Sequence, residues 1–354
     1  MRGRPAGVAV VTVLTAALAA WLPMPPVFVE RYYSTGVYPL LQGGVTGLSN
    51  LVPVALFDIV GFGLAACVLV ILVLAVRQGP RLGWGKVMAR ALILTATIGA
   101  AGYLVFLGVW GLNYRRVPIV QKIAFDPSAV TAAAAVEFAH RVARELNATY
   151  EPAHAAPSGG DLAELSQAFA SAQRALGVKR PARPARPKST LLDPYFRATA
   201  VEGMTNPFFL ETLVVSSLLD VERPFVVAHE WSHLAGFADE GEANFVGWLT
   251  CMAGSAAERY SGWLFLYRET VARLGDQDRA DVAGALSHGP RADLQAIVDR
   301  RRRHVNLAMS RVSWQAYDRY LRANRVEAGA ASYADVVKLV LGATFEDGWT
   351  PLLR

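Results

Sequence analysis

The stretch Arg223-Pro-Phe-Val-Val-Ala-His-Glu-Trp-Ser-His-Leu-Ala-Gly-Phe-Ala-Asp-Glu-Gly-Glu-Ala-Asn244 decides how the rest of the chain is read. Pro224 suits the first turn of a helix and Gly236 its C-terminal end. Between them His229 and His233 are four residues apart and share one helical face, from which two imidazoles can reach a single ion. Glu230 is rotated off that face, placed to hold a water rather than to bind the ion. This is the H-E-x-x-H arrangement, with the carboxylate as general base. A helix with two incidental histidines would show the same letters. However, the chain has only 6 histidines, and the apolar run Phe225 to Ala228 leads into the pair as a buried helix does. The chemistry implied is peptide hydrolysis with Zn2+ held by His229 and His233 and with Glu230 as the catalytic base.

A third ligand is expected among the acids that follow at once. Asp239 lies three residues beyond Gly236, the place of the third ligand in metzincins. Glu240 and Asn244 are four apart, so on a second helix they share a face. Glu242 is also close in sequence. Any of these acids would also suit a solvated helix start, where negative charge is favoured. Glu240 is preferred, with Asn244 orienting a ligand.

Working outward, the composition is too apolar for an ordinary soluble domain: of 354 residues, 53% are hydrophobic and 18% charged. The net charge of +6 gives no nucleic-acid signal, because membrane proteins carry extra Lys and Arg on cytoplasmic loops. Cys67 sits in an apolar run and Cys251 in the globular part, so no disulfide is expected between them.

Three apolar stretches are long enough to cross a bilayer: about 6–22, 52–76 and 89–110. Arg2 and Arg4 precede the first, and Arg77, Arg81, Lys86 and Arg90 crowd the loop between the second and third. The positive-inside rule puts both groups in the cytoplasm and the C-terminal part outside, in a multi-pass cytoplasmic membrane protein. Arg115 and Arg116, just after the third stretch, sit on the wrong side for that rule. Pro25 to Leu51, aromatic and Gly-rich, reads as an interfacial anchor. Asp58, near the outer end of the second stretch, is assigned no role.

The division that follows is a membrane region, 1–116, and one globular domain, 117–354. Within the latter, Ser128 to Asn147 and Asp161 to Leu176 carry helical spacing. Lys179 to Lys188, with its Ala-Arg-Pro repeats, reads as an exposed, extended, solvated linker. Phe208 to Leu219 is rich in strand formers and is the candidate edge strand for an extended substrate. His304, Tyr317, Tyr320 and Tyr333 are the available oxyanion donors, and Arg300 to Arg303 read as a solvated basic face.

Several blocks resemble an uncharacterised family of bacterial membrane-anchored zincins, gluzincin-like metallopeptidases catalogued as domain of unknown function 3810. They are Trp110-Gly-Leu-Asn-Tyr-Arg-Arg116, Asn206-Pro207 with Glu211, His229 to Asn244, and Tyr320-Leu-Arg-Ala-Asn324 through Ser332-Tyr333. The resemblance implies a zinc-peptidase-like fold and favours Glu240 over Asp239, but it implies no particular substrate.

The expectation is therefore an α+β, zincin-like metallopeptidase domain behind three transmembrane helices. Its partners would be a peptide or protein substrate and the lipid bilayer, with no nucleic acid. The alternative is a catalytically inactive zinc-binding domain that meets an envelope partner or senses a ligand. Glu230 argues against it, because a purely structural site needs no base. The sequence is silent on oligomeric state.

Overall fold

The computed structural model describes residues 4–155 and 161–354. Arg2 and the side chains of Arg4 and Tyr333 lie outside the described residues.

The chain opens with α1 (Arg4–Trp21), then α2 (Pro26–Phe28), a π-helical stretch Val29–Val37, and α3 (Tyr38–Leu51). Between Trp21 and Pro26 the path bends by 111°. Helices α4 (Leu56–Leu82) and α5 (Trp84–Val109) follow, separated by Gly83. Its φ of +84° is reached by glycine without the Cβ penalty that other residues carry. These two are the helices long and apolar enough to cross a membrane; α1 meets that test only together with the bent segment after it. The expectation of three spanning helices is corrected accordingly: the first apolar stretch yields an 18-residue helix, about 27 Å long.

The β-hairpin of β1 (Gly203–Asn206) and β2 (Glu211–Val214) meets α4 and α5 together. Glu211 accepts hydrogen bonds from the Leu56 and Phe57 amides at 3.0 and 2.8 Å, so it caps the start of α4, whose own N-cap residue offers no side chain. Phe106, in the last turn of α5, packs on Phe208 at the hairpin tip. One end of each helix thus touches the same hairpin, and the two run antiparallel. The end of α1 lies here too: Arg115 donates to Ala19 O at 2.8 Å and Arg325 to Ala20 O at 3.2 Å. A carboxylate at a helix start and guanidiniums at a helix end both complement the helix dipole.

The rest is helical: α6 (Ala132–His154), α7 (Leu162–Ala175), α8 (Asp193–Thr199), α9 (Arg223–Leu234), α10 (Glu240–Met252) and α11 (Ala256–Val271), then α12 (Asp276–Gly284), α13 (His288–His304), α14 (Leu307–Ala323) and α15 (Asp335–Gly342). A last short hairpin joins β3 (Phe345–Glu346) to β4 (Thr350–Pro351). Helix makes up 73% of the structure and strand 5%, in two small sheets. The expected α+β, zincin-like fold is therefore overturned. The physical reason is visible in Phe208 to Leu219: Phe208 and Pro207 form the hairpin turn, Ser216 and Ser217 end the strand, and four residues remain. On its far side β2 meets only Lys188, through a single parallel bridge, so no wider sheet grows.

Helices α9 and α10 form the centre. Every residue from Pro224 to Leu234 and from Glu240 to Met252 is buried. Trp231, Trp248 and Trp263 are among the largest buried side chains, each worth upwards of about 2 kcal/mol of apolar burial. Tyr38, Phe106 and Trp110, from the N-terminal third, belong to the same core.

The segment Lys179 to Lys188 is extended, as its prolines dictate, but it is no free linker. A polyproline helix repeats every three residues, and Ala182, Ala185 and Lys188 are buried while Arg183 and Arg186 stay exposed. Two amides on α3 hold its backbone. Gln42 bonds Arg183 N and O at 2.9 and 2.8 Å; Asn50 bonds Arg186 N and Pro184 O at 2.9 and 3.1 Å. Lys188 forms a buried ion pair with Glu211 at 2.9 Å. Arg300 likewise leaves the solvated face expected of it, buried between Glu202 and Glu222.

Candidate metal centre

The helical period puts His229 and His233 on one face of α9, and their rings lie 4.8 Å apart. Gly236 then takes φ +82°. The Gly236 amide bonds His233 O and the Phe237 amide bonds Ser232 O, which closes α9 and turns the chain back. Asp239 accepts from the Glu242 amide at 3.1 Å and so starts α10 as its N-cap. The next residue, Glu240, is thereby aimed at the histidines. Its Oε2 lies 3.4 Å from Nε2 of His229 and 3.4 Å from Nε2 of His233.

Close approach of the two helices depends on Gly247. A Cβ there would stand 3.0 Å from both N and Cα of His229, a contact with backbone that would push the two helices apart. No local pattern in the sequence marks this glycine, because the atom it makes room for is 18 residues away.

His229, His233 and Glu240 are the group that could hold a metal ion among the described residues. Three observations test the fit. Ligand atoms about 2.0–2.1 Å from a tetrahedral zinc are separated by roughly 3.3–3.4 Å, which the two nitrogen–oxygen distances match. Glu240 Oε2 is buried and finds no well-aligned hydrogen-bond donor among the described residues, a costly state for a carboxylate oxygen. And Nδ1 of His233 lies 2.8 Å from Phe237 O. A carbonyl only accepts, so this nitrogen carries the proton and Nε2 presents its lone pair. The residues fit a metal.

Without an ion the same three residues form an acid–base cluster, in which a proton on His233 Nε2 occupies the place a metal would compete for. Burial disfavours the charged form of Glu240, but the His233 and His229 rings beside it hold its carboxyl well below the usual range. Burial disfavours charge on His233, yet the adjoining Glu240 lifts it to about 9. The Tyr317 hydroxyl donates to the other oxygen of Glu240. Tyr317, expected as an oxyanion donor, is thus placed on the carboxylate. Tyr320 stacks on Tyr317 and meets Tyr114 and Phe106 edge-on. His304 ends α13, partly buried.

The rival acids point elsewhere. Glu242 accepts from the Ile119 amide at 2.6 Å. Together with Asp239, Arg116, Arg325 and Lys338 it lines a separate cavity of about 380 Å³. Burial pushes Asp239 up to about 6 and Glu242 up to about 7. Asn244 is buried one turn beyond Glu240 on α10.

Glu230 is held from above by β1. Thr205 Oγ1 lies 2.9 Å from its Oε2 and 2.8 Å from its backbone oxygen. Burial raises the Glu230 pKa, only partly offset by His229 and His233. β1, rather than the expected Phe208 to Leu219 segment, supplies the free strand edge. β2 is paired on both sides, by β1 and by the Lys188 bridge. Alternation turns the backbone of Gly203 and Thr205 away from β2, since Glu202 O accepts from Val215 N and Asn206 O from Leu210 N.

The centre is fastened to the long apolar helix α5 through Trp110, which follows it directly. Its indole donates to His233 O at 2.9 Å.

The family described as a protein of unknown function, DUF3810, matches residues 33–341. No curated protein and no solved structure matches the chain.

Proposed function

The chain belongs to the DUF3810 family, and we propose that it is a membrane-anchored, zinc-dependent metallopeptidase. The observation that carries this reading is the Glu240 oxygen, buried without a well-aligned hydrogen-bond donor among the described residues and 3.4 Å from both histidine nitrogens, with an unliganded carboxylate, Glu230, beside the same pair.

His229, His233 and Glu240 would hold the ion. When bound, zinc supplies Lewis acidity that polarises a scissile carbonyl and lowers the pKa of an attacking water. The protein residues do the rest. Glu230, in a desolvated site that raises its proton affinity, takes the proton of the attacking water and passes it to the leaving amine. Thr205 fixes the Glu230 carboxylate. The free edge of β1 offers Gly203 and Thr205 N–H and C=O groups to an extended polypeptide, as strand addition requires. Tyr317 and the Phe237 carbonyl keep Glu240 and His233 in their ligating orientation.

The protein is further proposed to be a multi-pass protein of the cytoplasmic membrane with its helical domain outside. The domain meets the start of α4 and the end of α5, so the basic residues Arg77 to Arg90, in the helix ends that meet at Gly83, are at the opposite end of that pair. The two arginines that defied the positive-inside rule are internally committed: Arg115 to carbonyls at the end of α1, and Arg116 to Glu30 and Gly236 O.

The decisive comparison is wild type against Glu230→Gln, with zinc content and hydrolysis of an unstructured fluorogenic peptide measured on both. About one zinc per chain in each and hydrolysis only in wild type is expected. Equal zinc with no hydrolysis in either would favour the inactive, zinc-binding alternative.

A further inference from the structure

Helix α3 and the π-helical stretch before it bury their polar side. Ser34, Tyr38, Gln42, Thr46 and Ser49, four or three residues apart, face the domain. Ser34 Oγ bonds Asn113 Oδ1 at 2.9 Å, Tyr38 OH bonds Leu234 O at 2.8 Å and Thr46 Oγ1 bonds Leu210 O at 2.8 Å. Gln42 and Thr46 are 0% exposed. On the opposite side Leu40, Leu48 and Leu51 are 65%, 69% and 79% exposed. In water this helix would be inside out, its exposed leucines left without the burial that stabilises apolar side chains. Against lipid it is the right way round, since polar groups there must be satisfied within the protein.

The path of the chain says how the segment lies. α1 arrives at the domain side, where its terminal carbonyls meet Arg115 and Arg325. α4 departs from the domain side, where Glu211 caps it. Both ends of Pro26 to Leu51 therefore lie at the domain, which favours a segment that returns to its own side over one that crosses. The segment runs on into α4, a helix long and apolar enough to cross a membrane, and its polar side is occupied by the domain. Beside it runs the Ala-Arg-Pro segment. Arg183 lies over Gly47, where a Cβ would be 2.7 Å from its Nη1, and Arg186 is exposed in the next repeat.

We propose that the outer face of α3 is seated in the boundary between headgroups and acyl chains of an anionic bilayer, with Arg183 and Arg186 at the level of the lipid phosphates. Apolar immersion supplies the main attraction and the arginines add charge complementarity near an anionic surface. The arrangement is independent of any metal. It sets the metal centre at the membrane surface, because Tyr38 and Trp110 hold the Leu234 and His233 carbonyls of the ligand helix.

The test uses the full chain in vesicles of phosphatidylcholine with or without phosphatidylglycerol. With Cys67 replaced by serine, a nitroxide is placed in turn at Leu40, Leu48 and Ser189, and its collisions with oxygen and with a water-soluble nickel chelate are compared. Lipid-type accessibility at Leu40 and Leu48, and water-type at Ser189, is expected. In Arg183→Gln/Arg186→Gln the two lipid-side labels should move measurably shallower in phosphatidylglycerol vesicles alone. Water-type accessibility at Leu40 and Leu48 would overturn the proposal, as would protection from both reagents, which would mean a second copy of the chain covers the face. An identical label depth in the double variant and wild type in both lipids would overturn the role given to the arginines.

Discussion

Gly203 lies directly over Glu230: a Cβ added to the glycine would come within 2.6 Å of Glu230 Oε1 and 2.8 Å of its Cγ. The strand β1 is thus also the cover that fixes the carboxylate, and any side chain at 203 must displace it.

Gly203→Ala should therefore keep the metal and lose the reaction. A displacement of about 1 Å at a reacting group costs on the order of 100-fold in rate, so kcat for peptide hydrolysis should fall about that much while zinc content stays at wild-type level. Unchanged kcat would show that Glu230 is not positioned by β1.

Three carboxylate variants separate the candidate ligands. Glu240→Gln should weaken zinc affinity by roughly 10- to 100-fold or more, given the losses seen when only supporting residues are removed. Asp239→Asn and Glu242→Gln should be much milder, since their carboxyls face the Glu242 amide and the Ile119 amide. Competitive zinc titration reads all three; normal affinity in Glu240→Gln removes it from the ligand set.

Tyr317→Phe deletes the donor to Glu240 and nothing larger. The expected result is a roughly 10-fold loss in zinc affinity, with a lower thermal stability of the metal-free protein because Glu240 Oε1 is left without its donor in a buried site. Lost hydrolysis at full zinc occupancy and normal affinity would instead put Tyr317 on the reacting carbonyl.

Topology is checked with fusions. Alkaline phosphatase joined after Arg354 should be active and joined at Gly83 inactive, because the basic helix ends that meet there are retained in the cytoplasm. The reverse pattern would put the domain inside the cell.

Glu211→Ala should destabilise the whole assembly. It strands the Lys188 ammonium in a buried site and uncaps α4. Breaking a buried pair from one side costs about 3–5 kcal/mol, enough for a clear fall in Tm in detergent. An unchanged Tm would mean that water or another group replaces the carboxylate.

The sequence alone determined what depends on short-range periodicity. Helical spacing put His229 and His233 on one face, Pro224 and Gly236 marked the ends of their helix, and continuous apolar length marked α4 and α5. The prolines after Lys179 made that segment extended. What it could not determine is which faces meet. Strand-forming letters at Phe208 to Leu219 suggested a sheet, but a strand is stable only with partners, and the tertiary structure gives β2 one short neighbour and a single bridge. The Ala-Arg-Pro segment looked solvated until α3 supplied amides for its backbone. The inverted faces of α3 become legible only once the domain is seen on its polar side. Gly203, Gly247 and Glu211 carry no local signal, because each acts on an atom brought near by folding from 18 to 155 residues away.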